Sequence, residues 1–151
     1  MAIQVDKGSM TATEPNYPAS MLIASEPAEA RRVQEAIEEA LKAQQFTEQE
    51  IFCIRLAVEE ALVNAMKHGN RMDRSKKIQV SYRVHADQFE VLIADEGCGF
   101  DPSDVPDPTA DENLERPCGR GLMLMRHYMT EVCFSRCGTS VRMSKQRNGR
   151  K

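Results

Sequence analysis

Leu56-Ala-Val-Glu-Glu-Ala-Leu-Val-Asn-Ala-Met-Lys-His-Gly69 is the stretch on which the reading of this chain turns. It continues an apolar pattern that starts at Ile51. At about 100° per residue, Ile51, Ile54, Val58, Leu62 and Ala65 fall on one stripe of a helix. Glu60 and Asn64 are one turn apart, about 40° from each other, along an edge that Ala57 and His68 extend. Glu59 points about 100° away from Glu60 and is expected to face solvent. Two adjacent acids therefore sit in different surroundings. A carboxylate and an amide stacked in this way could take a proton from a hydroxyl and offer an oxygen to a hard cation.

Outward from this helix the elements follow in order. Upstream, Thr47-Glu48-Gln49-Glu50 has the form of a capping box, which places the helix start near Glu48, and Gly69 is the expected C-cap. Before it, Pro27 stands where a first helical turn tolerates proline, and Ala30, Val33, Ile37 and Leu41 predict an amphipathic helix ending near Gln45. Ser20–Ser25 is a short apolar run that reads as a strand. Downstream, Ile78–Val84 and Phe89–Ala94 alternate as the arms of an antiparallel hairpin turning at Ala86-Asp87-Gln88. Gly121–Met129 reads as a third helix, and Glu131–Arg136 with Thr139–Ser144 as a second hairpin turning at Cys137-Gly138. The pattern predicts an α+β two-layer sandwich with a mixed, mostly antiparallel sheet and helices on one face.

Two glycine-bearing segments complete the set. Asp95-Glu96-Gly97-Cys98-Gly99 ends a strand in a carboxylate followed by glycines, which let backbone approach a flat ligand closely. Asp95 can accept a hydrogen bond from the exocyclic amine of adenine, where guanine offers only a carbonyl. Gly119-Arg120-Gly121-Leu122 opens the third helix, where free N–H groups and a partial positive charge suit phosphates. Arg116, just before it, could reach a terminal phosphate. Between the two lies Asp101–Cys118, rich in Asp and Pro and nearly without apolar periodicity. So long a loop in a small domain is expected to be functional and to close over a nucleotide. Neither a Gly-x-x-x-x-Gly-Lys-Ser/Thr loop nor a Gly-x-Gly-x-x-Gly turn occurs, so a nucleotide would be held without them.

Composition narrows the classes. The 151 residues are one domain's worth, and 41% hydrophobic with 28% charged residues is ordinary for a soluble globular chain. A net charge of -3 gives no electrostatic case for nucleic acid. No apolar run has membrane-spanning length and no secretory signal opens the chain. Five cysteines, none at C-x-x-C spacing, argue against a disulfide framework or zinc site and for a reducing cytoplasm. Residues 1–18 lack periodicity, and Gly8-Ser9-Met10 has the form of an expression scar, so this segment is set aside as disordered or tag-derived. The domain is expected over 19–146, followed by a basic, solvated tail over 147–151.

The residues carry a resemblance. Glu60…Asn64, Asp95-x-Gly97-x-Gly99 and Gly119-Arg120-Gly121 resemble the N-box and the two glycine boxes of the GHKL (Bergerat-fold) ATP-binding superfamily. Leu56–Gly69 and Glu115-Arg116-Pro117-Cys118-Gly119-Arg120-Gly121-Leu122 resemble the bacterial anti-sigma factor serine kinases of the RsbW and SpoIIAB type. The match covers about residues 20 to 145. It implies Glu60 as general base, Asn64 as the Mg²⁺ ligand, Asp95 as the adenine-recognising residue and Arg116 as the lid arginine for the γ-phosphate. It further implies nucleotide contacts from His68, Gly97, Gly99, Gly119, Arg120, Gly121, Leu122 and Thr139. Pro117 and Cys118 depart from the small polar residues expected in the lid. The implied activity is transfer of the ATP γ-phosphoryl to a Ser or Thr of a STAS-type anti-anti-sigma protein. The implied partners also include a sigma factor and a second copy of the chain. A rival reading is a nucleotide-binding module that sequesters a partner without kinase activity.

Overall fold

A computed structural model describes residues 3–5, 17–97, 117–135 and 139–147. Residues 98–116, which hold Gly99, Arg116 and most of the expected lid, lie outside the described residues, as does the expected Cys137-Gly138 turn. The elements are β1 (Ile3–Val5), β2 (Ala19–Ala24), α1 (Pro27–Ala43), α2 (Glu48–Val63), a π-helical turn (Asn64–Gly69), β3 (Lys77–Val84), β4 (Gln88–Asp95), α3 (Pro117–Tyr128), β5 (Glu131–Phe134) and β6 (Ser140–Gln146).

The six strands form one sheet in the order β1-β5-β6-β4-β3-β2. Among the described residues only the β1–β5 pairing is parallel. Register aligns the apolar residues into rows. Val80, Ile93, Val141 and Phe134 are successive cross-strand partners, as are Tyr82, Val91, Met143 and Val132. These rows join Val33, Ile37 and Leu41 of α1 and Ile54, Val58 and Leu62 of α2 in a single core. The described helices therefore cover one face of the sheet, and side chains alternate toward and away from them with period two. A third row runs from Ile23 to Ile78 to Asp95. It places the Asp95 carboxylate on the helix-covered side, at the end of its strand.

Local chemistry explains the helix start. Thr47 Oγ1 accepts the Glu50 N–H at 3.1 Å while Glu50 Oε1 accepts the Thr47 N–H at 2.8 Å, the reciprocal cap expected from the sequence. The helix end differs from expectation. Gly69 is not the cap: the last turn widens to π geometry, Asn70 N–H donates to Ala65 O at 2.7 Å, and Asn70 is the C-cap. Arg71 and Met72 then take left-handed backbone, with φ of 52° and 58°. The third helix also starts earlier than expected, at Pro117 rather than Gly121. Proline's fixed φ suits a first helical position.

Both ends of the chain depart from the sequence reading. Ile3–Val5, inside the segment set aside, pairs with Val132–Phe134 and occupies what would otherwise be an unpaired sheet edge. Arg147 is no solvated tail residue. Its side chain is 6% exposed, pairs with Glu50 at 3.3 Å and lies 4.3 Å above the Phe46 ring. Its remaining N–H groups donate to Gln44 O, Gln45 O and Ala86 O, so the guanidinium caps the C-terminal end of α1 and ties it to the β3–β4 turn. The buried charge is tolerated because a carboxylate and three carbonyls surround it.

Candidate functional site

The site forms where the end of α2 meets the end of β4. Ala57, Ala61 and Leu62 are buried, and Ala65 and Met66 continue the packed side through the π turn. Glu60 and Asn64 border this side and are partly buried, while Glu59, Lys67 and His68 are exposed. Asn64 N–H donates to Glu60 O and Ala61 O, which keeps the two side chains one turn apart. Burial pushes the Glu60 carboxyl above its usual range, neighbouring Glu59 adds to this, and Lys67 opposes it. The Asn64 amide makes no hydrogen bond among the described residues.

The π turn carries Gly69 against β4. A Cβ on Gly69 would collide with the Asp95 carboxylate, and a Cβ on Gly97 would collide with the Gly69 carbonyl. Both positions therefore require glycine for close approach. Asp95 Oδ1 accepts the Gly97 N–H at 2.8 Å, and Oδ2 has no partner among the described residues. Asp95 N–H donates to Thr139 O at 2.8 Å, which brings the start of β6 into the site. Desolvation raises the Asp95 pKa; the Gly97 N–H and the Lys76 ammonium act in the opposite sense.

Sequence reasoning missed Asn70. It is fully buried, and its side chain joins three elements. Nδ2 donates to Ser25 Oγ at 3.0 Å and Lys77 O at 3.0 Å, and Oδ1 accepts the Glu96 N–H at 2.9 Å. The Glu96 carboxylate in turn accepts the Lys77 N–H. The only signal available in sequence was an Asn directly after an expected C-cap glycine, a position usually read as surface turn.

The structure thus brings together Glu60, Asn64, Gly69, Asp95, Gly97 and Thr139. His68 is on the same turn but exposed. Gly119, Arg120, Gly121 and Leu122 lie within α3 rather than ahead of it. Helix α3 packs against α2. Cys53 and Cys133 are free thiols, and among the described residues no group of three or more His, Cys, Asp and Glu could hold a metal. No helix among the described residues is long and apolar enough to cross a membrane.

A helix-borne Glu and Asn beside a strand-terminal Asp seated on glycines define an ATPase-type domain. The chain belongs to the histidine kinase-like ATPase domain family, whose model matches residues 23–145. Its relatives include the serine-protein kinase RsbW of Bacillus subtilis, 34% identical over 69% of this chain and 69% of the relative. RsbW of Listeria monocytogenes is 32% identical over 68% and 70%, and the serine/threonine-protein kinase BtrW of Bordetella bronchiseptica is 31% identical over 56% and 61%.

Proposed function

We propose that this chain is an ATP- and Mg²⁺-dependent protein serine/threonine kinase that acts as an anti-sigma factor. Its acceptor would be a Ser or Thr hydroxyl on a small anti-anti-sigma protein. The observation that carries the reading is the Asp95 carboxylate, partly buried against Gly69 at the end of the turn that begins with Asn64, with Oδ2 unpartnered among the described residues. That free oxygen is an acceptor of the right kind for the adenine amine. The kinase names of the relatives support the phosphoryl-transfer part of the proposal.

The residues present fit both bound groups. A single amide oxygen from Asn64 is a sufficient protein contribution to Mg²⁺, which takes most of its other ligands from phosphates and water. Held by Asn64, Mg²⁺ would supply positive charge beside the transferring γ-phosphoryl of ATP. Glu60 orients the acceptor hydroxyl and takes its proton; a carboxyl raised above its usual range is a stronger base than a free glutamate. Arg116, outside the described residues, supplies positive charge toward the transferring group. Gly97 leaves room for close backbone approach, and the family resemblance adds Gly99, Gly119, Arg120, Gly121, Leu122, His68 and Thr139 as nucleotide contacts. The acting form is a cytoplasmic homodimer that alternates between a sigma factor and the anti-anti-sigma protein.

The test is incubation with γ-labelled ATP, Mg²⁺ and the small acceptor proteins encoded beside this one. Label on a Ser or Thr of one acceptor is the expected result. Adenine-nucleotide binding without transfer to any acceptor would favour a sequestering module, and absence of nucleotide binding would overturn the reading altogether.

A further inference from the structure

We infer that Asn70 is a positioning residue for adenine selection, an inference that rests on the kinase reading of the same site. Asp95 can discriminate an amine from a carbonyl only if its carboxylate is held at one place and angle. Its backbone is fixed on one flank by its own N–H, which donates to Thr139 O at 2.8 Å. On the other flank, the adjoining Glu96 N–H is held by Asn70 Oδ1 at 2.9 Å. Asn70 is itself fixed by donation to Ser25 Oγ and Lys77 O, each at 3.0 Å. Its own N–H closes the π turn on Ala65 O at 2.7 Å, and that turn presents Gly69 to the Asp95 carboxylate. One buried amide thus sets the spacing between the two surfaces that meet at Asp95.

The chemistry requires asparagine. The site asks for one acceptor and two donor directions from one short planar side chain, which a carboxylate, a hydroxyl or a methyl group cannot supply. With the amide removed, Glu96 N–H and Lys77 O lose buried partners, and the strand end relaxes toward water. Among the described residues the Asn70 side chain makes no hydrogen bond to Glu60 or Asn64, so its effect falls on nucleotide choice before chemistry.

Calorimetry with Mg-ATP and Mg-GTP tests this on the intact chain. Asn70→Ala should weaken ATP binding by about tenfold or more, the equivalent of a lost buried hydrogen bond, and shrink the ATP-over-GTP ratio with it. Asn70→Asp retains the acceptor for Glu96 N–H. It should keep more of the ratio than Asn70→Ala although it buries a charge and melts lower. Ile37→Ala, in the core of α1, supplies a comparable melting-temperature loss and should leave the ratio unchanged. If Asn70→Ala does not fold, Ser25→Ala withdraws one acceptor from Asn70 and should lower ATP affinity by about threefold. Wild-type ATP binding with unchanged affinity and ratio in the Asn70 variants would overturn the inference alone. The same loss in Ile37→Ala would also overturn it. Failure of the wild type to bind ATP would overturn the kinase reading and this inference together.

Discussion

The carboxylate of Asp95 rests directly on the Cα of Gly69, with no space between them for a methyl group. The contact joins the last turn of the long helix to the end of the strand that follows the hairpin. It is also why the helix ends in π geometry: the wider turn brings the Gly69 backbone to the sheet without a side chain.

Gly69→Ala and Gly97→Ala should therefore have different consequences. At Gly97 the obstruction is the Gly69 carbonyl, which is backbone and cannot swing aside. Overpacking there should cost about 1–3 kcal/mol, read as a lower urea midpoint. At Gly69 the obstruction is the Asp95 side chain, which can rotate away. That variant should keep more of its stability and lose adenine-nucleotide binding, measured by calorimetry. Equal stability losses with binding preserved in Gly69→Ala would contradict the close-approach argument.

Asp95 should make the ligand-free protein less stable as pH rises. Its folded pKa is raised, chiefly by desolvation. Between the ordinary aspartate value, about 3.9, and the raised one, the folded state holds a proton the unfolded state has released. Stability from this group is therefore full below the ordinary value and lost as pH climbs through the raised one. Asp95→Asn keeps an acceptor for Gly97 N–H and does not titrate. Thermal melts without nucleotide should show the variant gaining on wild type as pH rises from the ordinary aspartate value, about 3.9, through the raised one. The same variant should bind ATP at least about tenfold more weakly, because an amide can turn its donor end to the adenine amine. A stability difference independent of pH would remove the desolvation argument.

Much of this fold was legible because periodicity and caps reflect local physics. The Ile51–Ala65 stripe, the Thr47–Glu50 cap and the two hairpins follow from side-chain period and short-range hydrogen bonding. What was not legible depends on contacts between segments far apart in sequence. Asn70 follows a glycine, and nothing local distinguishes it from a turn asparagine; its partners lie at Ser25, Lys77 and Glu96. Ile3–Val5 is too short to show a period and gains its strand geometry from β5. Arg147 in a basic stretch reads as solvated until Glu50 and the α1 carbonyls, about 100 residues earlier, are brought beside it. The separate environments of Glu59 and Glu60 were readable from helix angle alone.

Arg147→Ala should be among the most damaging single substitutions in the chain. It leaves Glu50 buried without its cation and removes donors from Gln44 O, Gln45 O and Ala86 O. Breaking a buried pair from one side costs about 3–5 kcal/mol. Arg147→Lys should recover only part of this, since one ammonium cannot reach four acceptors in a planar fork or stack on Phe46 equally well. Denaturant melts measure both. A loss below about 1 kcal/mol, the range of an exposed pair, would mean that the pair is solvated in solution.

Glu60 and Glu59 provide the sharpest test of the proposed chemistry, because they are neighbours with the same side chain. Glu59 is exposed; Glu60 is partly buried and one turn from Asn64. Glu60→Gln should lower phosphoryl transfer by about 10²–10⁴-fold, the span of a lost general base, with ATP affinity nearly intact. Glu59→Gln should leave the rate within about twofold, though it removes a negative neighbour that helps hold the Glu60 carboxyl up. The pH profile gives a second readout. Only the ionised Glu60 accepts a proton, so the wild-type rate should rise with pH through the raised pKa and then level off. In Glu59→Gln this acidic limb should move to lower pH, and in Glu60→Gln it should vanish from the residual rate. Identical rates and profiles for the two variants would place the base elsewhere and leave the edge shared by Glu60 and Asn64 without a role in transfer.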